Sequence, residues 1–133
     1  MAEASVIAGL AFSQTGTTGP HACSYILTSK YQVPHGEACA FTLDAWLVIN
    51  AREKPELETY AKELGFASVQ ALSDWLNGLK KKFGMRTTLA EIGAGEADLE
   101  ELTAYSMASG NMTNNLAQIG YDGVKAMFQR KLS

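Results

Sequence analysis

Cysteine, proline, basic charge and long apolar runs are all scarce in this 133-residue chain, and each scarcity excludes a class of protein. Two cysteines are too few for the disulfide framework of a small secreted domain, so we expect both thiols to be reduced. Eleven basic residues against fourteen acidic ones argue against a surface that binds nucleic acid or anionic membranes. No segment reaches the roughly 20 apolar residues of a membrane span, and Met1–Ser5 lacks a basic leader. We therefore expect a cytoplasmic protein with no nucleic-acid partner and no membrane partner.

Hydrophobic residues make up 47% of the chain and recur mostly at helical spacing. A chain of this length fits one domain with one core. Helices are predicted over residues 2–14, 21–31, 37–51, 56–64, 69–83, 96–108 and 119–132, with a polar connection at 111–115. No segment alternates in the manner of a half-buried strand. The sequence predicts an all-α bundle of about six to eight helices.

The same spacing predicts which faces of the helices are buried. In the helix over 56–64, the inner face would consist of Leu57, Tyr60, Ala61 and Leu64. In the helix over 69–83, an apolar stripe that ends at Phe83 would face the core, and the lysines at 80–82 would face solvent. The stretch from Val6 to Ile49 is nearly uncharged, so we expect part of it to pack against another segment or chain.

The two histidines, His21 and His35, lie in similar settings fourteen residues apart. A proline directly precedes each of them, and a helical pattern follows. A histidine at a helix N-terminus feels the positive end of the dipole, which favours the neutral imidazole that a metal ion requires. A helix of about nine residues advances about 13 Å, and about five or six extended residues can span that distance back. The spacing is compatible with two ligands of one metal ion and with two unrelated polar residues at helix starts.

The cysteines and the other reactive groups form no recognisable catalytic motif. Cys39 can share a helix face with His35, whereas Cys23 lies only two residues after His21 and cannot. This arrangement matches no common zinc spacing, so we interpret both cysteines as buried, inert thiols. No serine lies in a G-x-S-x-G setting, and Gly93–Gly95 has no preceding strand that would make it a phosphate loop.

Short stretches between residues 8 and 41 match one family in detail. They are Ala8-Gly9-x-Ala11-Phe12, the glycine-containing turn before His21, and Tyr31-x-Val33-Pro34-His35-Gly36. With them, the sequence resembles the iron-containing (group III) alcohol dehydrogenases, which share a superfamily with glycerol dehydrogenase and dehydroquinate synthase. The separation of His21 and His35 is that family's spacing for two metal ligands. Near the end, residues 111–115 and the amphipathic helix that follows resemble the family's Asn-Pro segment.

The resemblance implies that residues 1–133 are the C-terminal part of a helical metal-binding domain in an NAD(P)-linked alcohol dehydrogenase. His21 and His35 would each supply one nitrogen to Fe²⁺ or Zn²⁺, and the substrate would be a small alcohol or aldehyde. NAD or NADP would be bound mainly by an N-terminal α/β domain, which these residues do not contain. The Asp-x-x-x-His motif that completes the family's metal site is also absent from them. We therefore expect the chain alone to be inactive, and the apolar stretch to favour a homo-oligomer.

Two departures from the family pattern leave alternatives open. Tyr25 stands where many members have a histidine close to the nicotinamide, and Ile26 stands where proline is frequent. The resemblance makes Tyr25 a candidate catalytic residue that touches substrate or nicotinamide. His35–Glu37 also resembles the His-Gly-Glu of glycerol dehydrogenase and dehydroquinate synthase. The alternatives are a fragment of such an enzyme, and a non-catalytic helical interaction module that kept the fold.

Overall fold

A computed structural model describes all 133 residues and contains eight α-helices and no strand. The helices are α1 (Ala2–Thr15), α2 (Gly19–Ser29), α3 (His35–Glu53), α4 (Glu56–Glu63), α5 (Val69–Lys82), α6 (Leu99–Ala108), α7 (Gly110–Thr113) and α8 (Gly120–Gln129). Two 3-10 turns, Ala90–Ile92 and Glu96–Asp98, precede α6. The predicted all-α bundle of six to eight helices is confirmed. No helix in it combines the length and the apolar character needed to span a bilayer.

Local chemistry accounts for where several helices begin. Pro20 occupies the first turn of α2, where its missing N–H leaves no hydrogen bond unmade. Ser68 caps α5, because its hydroxyl accepts a hydrogen bond of 3.1 Å from the N–H of Ala71. The Glu91 carboxylate accepts the N–H groups of Thr87 and Thr88 at 2.7 and 2.9 Å. Only a 3-10 turn follows this cap, because the chain turns at Gly93, which has a φ of 80°.

The core lies where α2 packs against α3 and α6, with α8 against α6 and α5 against α3. These contacts bury large apolar side chains from all parts of the chain, among them Ile26, Leu27, Phe41, Trp46, Leu89, Leu99, Leu102 and Phe128. Residues 19–49 therefore supply much of the bundle's own core. Their low content of charged residues reflects burial inside this domain.

The prediction for the buried face of α5 is confirmed at Val69 but is wrong at the C-terminal end of the helix. Phe83 is 71% exposed, while Lys80 is only 5% exposed and lies against α3. The buried positions of α5 are Val69, Ser73 and Lys80, which share one face at helical spacing. Lys80 is buried because its ammonium donates hydrogen bonds to the Asp44 carboxylate at 2.7 Å and to the Ala40 carbonyl at 3.1 Å. A charged side chain whose hydrogen bonds and ion pair are all made can thus be buried at a position where the apolar pattern predicts a hydrophobic residue.

The inner face predicted for α4 is also wrong in part. Ala61 is buried, but Tyr60 and Leu64 are exposed. The short helix packs mainly against α3 and α5, so a single narrow stripe is covered. The Glu58 carboxylate fixes α4 to α5 by accepting the N–H of Val69 at 3.0 Å.

Helix α1 differs from the rest of the bundle because none of its residues is buried. Its exposed apolar side chains include Val6, Ile7, Leu10 and Phe12. The Asn114 amide holds its C-terminal end by donating to the carbonyls of Thr15 and Thr17 at 2.8 and 3.1 Å. Most of the unpacked part of the apolar stretch thus lies in this one helix, with Tyr25 and Leu43 as further exposed residues on α2 and α3.

A buried amide cluster fixes the start of α2. Asn115 was expected in a polar connection, yet it is only 4% exposed. Its carbonyl oxygen accepts the N–H of Gly19 at 3.2 Å, and its amide nitrogen donates to Asn50 at 2.8 Å and to the Ala117 carbonyl at 2.9 Å. The cluster joins α2, the C-terminal half of α3 and the segment before α8. It places the first turn of α2, which carries His21.

Replacing Gly19 with alanine is expected to lower the free energy of unfolding by about 1–3 kcal/mol, the usual range for overpacking. An added Cβ would lie 2.6 Å from Cε2 of Trp46, a ring that is itself fully buried. The ring cannot move away, so the first turn of α2 must shift. Urea unfolding of Gly19→Ala measures the loss, and Gly36→Ala serves as the control because its Cβ would meet no atom within 4 Å. Equal stability of the two variants would contradict this interpretation.

Candidate metal centre

Two helix starts bring the histidines together. His21 lies in the first turn of α2 and His35 is the first residue of α3. The connection at 30–34 carries the chain back along α2, with Val33 buried beneath it and Gln32 in a left-handed conformation (φ 55°). The ring centroids of the two histidines are therefore 5.4 Å apart, in an edge-to-face arrangement. The sequence spacing allowed residues 30–34 to bring His35 back beside His21, and the structure shows that they do so.

A third potential ligand lies beside them. Sγ of Cys39 is 3.6 Å from Nε2 of His35, one helical turn away on α3. One donor atom from each of His21, His35 and Cys39 lies within 4.8 Å of the other two. Donors that share one metal ion through bonds of about 2.0–2.3 Å lie no more than about 4.6 Å apart. Small side-chain rotations therefore suffice, and the three residues fit a divalent ion in distance and in donor type.

The surroundings of His21 favour its neutral form. Partial burial lowers the pKa of His21, and the neighbouring His35 lowers it further because two imidazolium charges would repel each other. A metal ligand must be neutral imidazole, so this environment keeps the ring ready to bind.

Tyr25 lies one turn after His21 and lines the same cluster. Its ring is nearly parallel to that of His35, at an angle of 15° and a centroid distance of 6.1 Å. The phenolic oxygen accepts a hydrogen bond of 2.8 Å from the Asn111 side chain, which leaves its own O–H free to donate. The structure thus brings all three predicted site residues, His21, His35 and Tyr25, into one place.

The two cysteines behave differently. Cys23 is completely buried, which raises the pKa of its thiol to about 11, so it is the inert thiol that the sequence predicted. The burial predicted for Cys39 is wrong, because its side chain is half-buried and lies against His35. The four-residue spacing from His35 to Cys39 could have indicated a shared ligand face. It was not used because the combined pattern with His21 and Cys23 matches no common zinc spacing.

An open pocket of about 400 Å³ lies over the cluster. His21 and Cys39 form part of its floor, and Phe12 and Leu43 give it apolar walls. The loop at Gly16–Thr18 borders it on the side of α1. The pocket can therefore admit a small molecule with one polar group directed at His21 and an apolar remainder against the walls.

Comparison with known proteins decides the family. The C-terminal region of the Fe-containing alcohol dehydrogenase family matches residues 1–132. This chain belongs to that family. The resemblance drawn from the sequence is thereby confirmed, and the histidine cluster lies in the part of the chain that carries it.

Relatives agree in sequence and in fold. The 1,3-propanediol dehydrogenase of Klebsiella pneumoniae is 27% identical over 98% of this chain and 36% of its own length. The sulfoacetaldehyde reductase of Bifidobacterium kashiwanohense, solved in complex with NAD⁺, is 39% identical, with a TM-score of 0.90 over 98% of this chain and 35% of that one. An iron-containing alcohol dehydrogenase of Thermotoga maritima, 23% identical, has the same fold with a TM-score of 0.73 over 94% of this chain and 32% of that one. The chain spans about a third of the length of these relatives.

Proposed function

We propose that this chain supplies the metal-binding helical part of an NAD(P)-linked alcohol dehydrogenase that interconverts a small alcohol and its aldehyde. The observation that carries the proposal is the meeting of His21 and His35 at two helix starts, where His21 also lines an open pocket. The family to which the chain belongs supports it, since that family is iron-containing by description.

In this proposal, His21 and His35 hold the metal ion, each through one imidazole nitrogen. When bound, a divalent ion supplies Lewis-acid polarisation of the alcohol or aldehyde oxygen. Tyr25 lies against His35, with its hydroxyl oriented by Asn111, so its O–H can donate to substrate or nicotinamide. Phe12 and Leu43 give the pocket an apolar side against which the carbon chain of a substrate can pack. Iron is the ion that the family description favours, with zinc as the alternative.

The nicotinamide cofactor would be held mainly outside these residues. Gly93 and Gly95 lie between two 3-10 turns and not between a strand and a helix, so they form no pyrophosphate-binding loop. NAD is the favoured cofactor because the relative from Bifidobacterium was solved with NAD⁺, and NADP is the alternative. The two free thiols suit the reducing cytoplasm that we propose as its location.

The experiment compares the 133-residue chain with a polypeptide that joins it to the remaining part present in its relatives. Aldehyde-dependent oxidation of NADH and NADPH is measured with added Fe²⁺ or Zn²⁺. We expect turnover only in the longer polypeptide, because holding nicotinamide against substrate contributes about 7–11 kcal/mol to such a step. Turnover by the chain alone, or none by the longer polypeptide with either ion, would contradict the proposal.

The exposed apolar helix α1 favours a second candidate, a helical interaction module without chemistry. Val6 and Leu10, like much of the rest of α1, are exposed and apolar, and such surfaces usually have a partner. The two candidates differ at the metal centre, because an interaction module has no need of two converging histidines. Metal binding that depends on His21 and His35 would favour the enzyme.

We expect the isolated chain to form a homo-oligomer through α1. Two copies that pack these helices together would remove Val6, Ile7 and Leu10 from water. Light scattering across a concentration series measures the association, and Leu10→Glu is expected to weaken it. A monomer at high protein concentration, or a Leu10→Glu variant that associates as strongly as the unaltered chain, would contradict this expectation.

A further inference from the structure

Cys39 lies beside the two histidines of the candidate metal centre, although it belongs to none of the motifs that pointed to that centre. It lies on α3 one turn after His35, and its side chain borders the pocket above His21. Its Sγ is 3.6 Å from Nε2 of His35, and it lies within 4.8 Å of a ring nitrogen of His21. The three donors come from two helices whose relative position is set by the core.

The distance between sulfur and nitrogen is itself informative. Two ligands of a tetrahedral zinc ion, with Zn–N of about 2.0–2.1 Å and Zn–S of about 2.3 Å, lie about 3.6 Å apart. The pair Cys39 and His35 has this separation without any rearrangement of α3. A weak S–H to nitrogen hydrogen bond has a similar length, so the experiment must distinguish the two arrangements.

We propose that Cys39 is a third metal ligand, so that this chain holds its ion with a donor set of two imidazoles and one thiolate. The inference rests on the proposed function, because it takes His21 and His35 as the other two ligands. On binding, an Sγ–metal bond forms, the S–H bond breaks, and the proton passes to solvent, with no change in oxidation state. A thiolate is a soft ligand, and it favours Zn²⁺ at the site more strongly than carboxylate ligands do.

The other cysteine offers a matched control. Cys23 is completely buried on α2, beside Trp46, Thr42 and Ser106, and it belongs to no group of potential metal ligands. A signal that comes from thiolate ligation must therefore disappear with Cys39 and survive the loss of Cys23.

The test is a Co²⁺ titration of the 133-residue chain followed by absorption spectroscopy. A sulfur ligand gives an intense near-ultraviolet thiolate-to-cobalt charge-transfer band, and any bound tetrahedral Co²⁺ gives visible d–d bands. We expect both kinds of band in the unaltered chain and in Cys23→Ala. In Cys39→Ser we expect the charge-transfer band to be lost and the affinity to fall at least about tenfold, judged by the effect of losing even an outer-shell partner. Circular dichroism verifies that each variant is folded.

The possible outcomes distinguish Cys39 ligation from the proposed metal site of His21 and His35. Visible bands without the charge-transfer band in the unaltered chain, or a charge-transfer band that persists in Cys39→Ser, would overturn Cys39 ligation and leave the histidine site standing. No cobalt bands at all would overturn Cys39 ligation as well, whereas the proposed function is decided separately by turnover of the longer polypeptide. A second measurement uses Cys23→Ala, in which Cys39 is the only thiol. Saturating Zn²⁺ should slow its alkylation by iodoacetamide, because a thiolate bound to a metal ion is not free to act as a nucleophile. Adding His35→Ala should abolish that protection, and an alkylation rate that Zn²⁺ leaves unchanged would overturn the inference.

Discussion

Replacing Asp44 with asparagine is expected to lower the free energy of unfolding by about 3–5 kcal/mol, the cost of breaking a buried ion pair from one side. Asp44 accepts hydrogen bonds from Lys80 at 2.7 Å and from Lys131 at 3.1 Å. Both lysines are almost completely buried. Without the carboxylate, two ammonium groups remain close together in a poorly solvated site. Urea unfolding followed by circular dichroism measures the loss.

Asp74→Asn is the matched control for this change. Asp74 lies exposed on α5 and bonds only to Gln70, at 2.8 Å. Its replacement should change the free energy of unfolding by no more than about 0.5 kcal/mol, as is usual at exposed positions. Equal losses of unfolding free energy in the two variants would show that the ion pairs of Asp44 with Lys80 and Lys131 do not stabilise the fold.

The same pairs predict a dependence on pH. Burial alone would raise the pKa of Asp44, but the charges of Lys131 and Lys80 outweigh it and hold the pKa below its ordinary value. A carboxylate with a lowered folded-state pKa stabilises the fold above its unfolded-state pKa of about 3.9, and this stability is lost as the pH falls through the folded-state value. The difference in unfolding free energy between the unaltered chain and Asp44→Asn should therefore shrink below about pH 4. A difference that stays constant down to pH 2 would contradict this assignment.

Lys80 also illustrates where sequence reasoning about the fold stops. The helical period correctly predicted α5 and six of the other seven helices, because the spacing of apolar residues is a local property. The prediction of a polar connection at 111–115 is wrong in part, because the short helix α7 covers Gly110–Thr113. The orientation of α5 depended on Asp44, which lies far away in sequence and on another helix. A lysine is predicted to be exposed because of its charge, and only a specific buried partner for that charge makes burial favourable.

Some residues of the candidate site could be predicted from the sequence, and others could be found only in the folded structure. His21 and His35 could be selected from the sequence because each follows a proline at a helix start, and their spacing matches that of a known family. Their meeting depends on the return of residues 30–34, which spacing permits without requiring it. Cys39 was set aside because a cysteine becomes a ligand through its neighbours in space, and those neighbours appear only once α2 and α3 are packed. The role of Asn115 was hidden for the same reason.

His35→Ala is expected to abolish most turnover in the longer polypeptide and to weaken binding of Zn²⁺ or Co²⁺ at least about 100-fold. Loss of an outer-shell partner alone commonly costs about 10–100-fold in metal affinity, and His35 is proposed to bind the ion directly. The loss should be seen in the 133-residue chain as well, because the proposed ligands of this chain lie within it. Isothermal titration with each ion measures affinity, and aldehyde-dependent NAD(P)H oxidation measures turnover.

Tyr25→Phe separates loss of the metal from loss of the hydroxyl. The phenylalanine ring can keep its position against His35, whereas the oxygen that accepts from Asn111 is removed. Metal affinity should therefore stay unchanged in Tyr25→Phe, while turnover in the longer polypeptide falls because the donor to substrate or nicotinamide is gone. Unchanged turnover would remove Tyr25 from the reaction and leave it a packing role beside His35. If His35→Ala kept full affinity and turnover, the ion would have to be held elsewhere, and the meeting of two imidazoles 5.4 Å apart would have no metal to explain it.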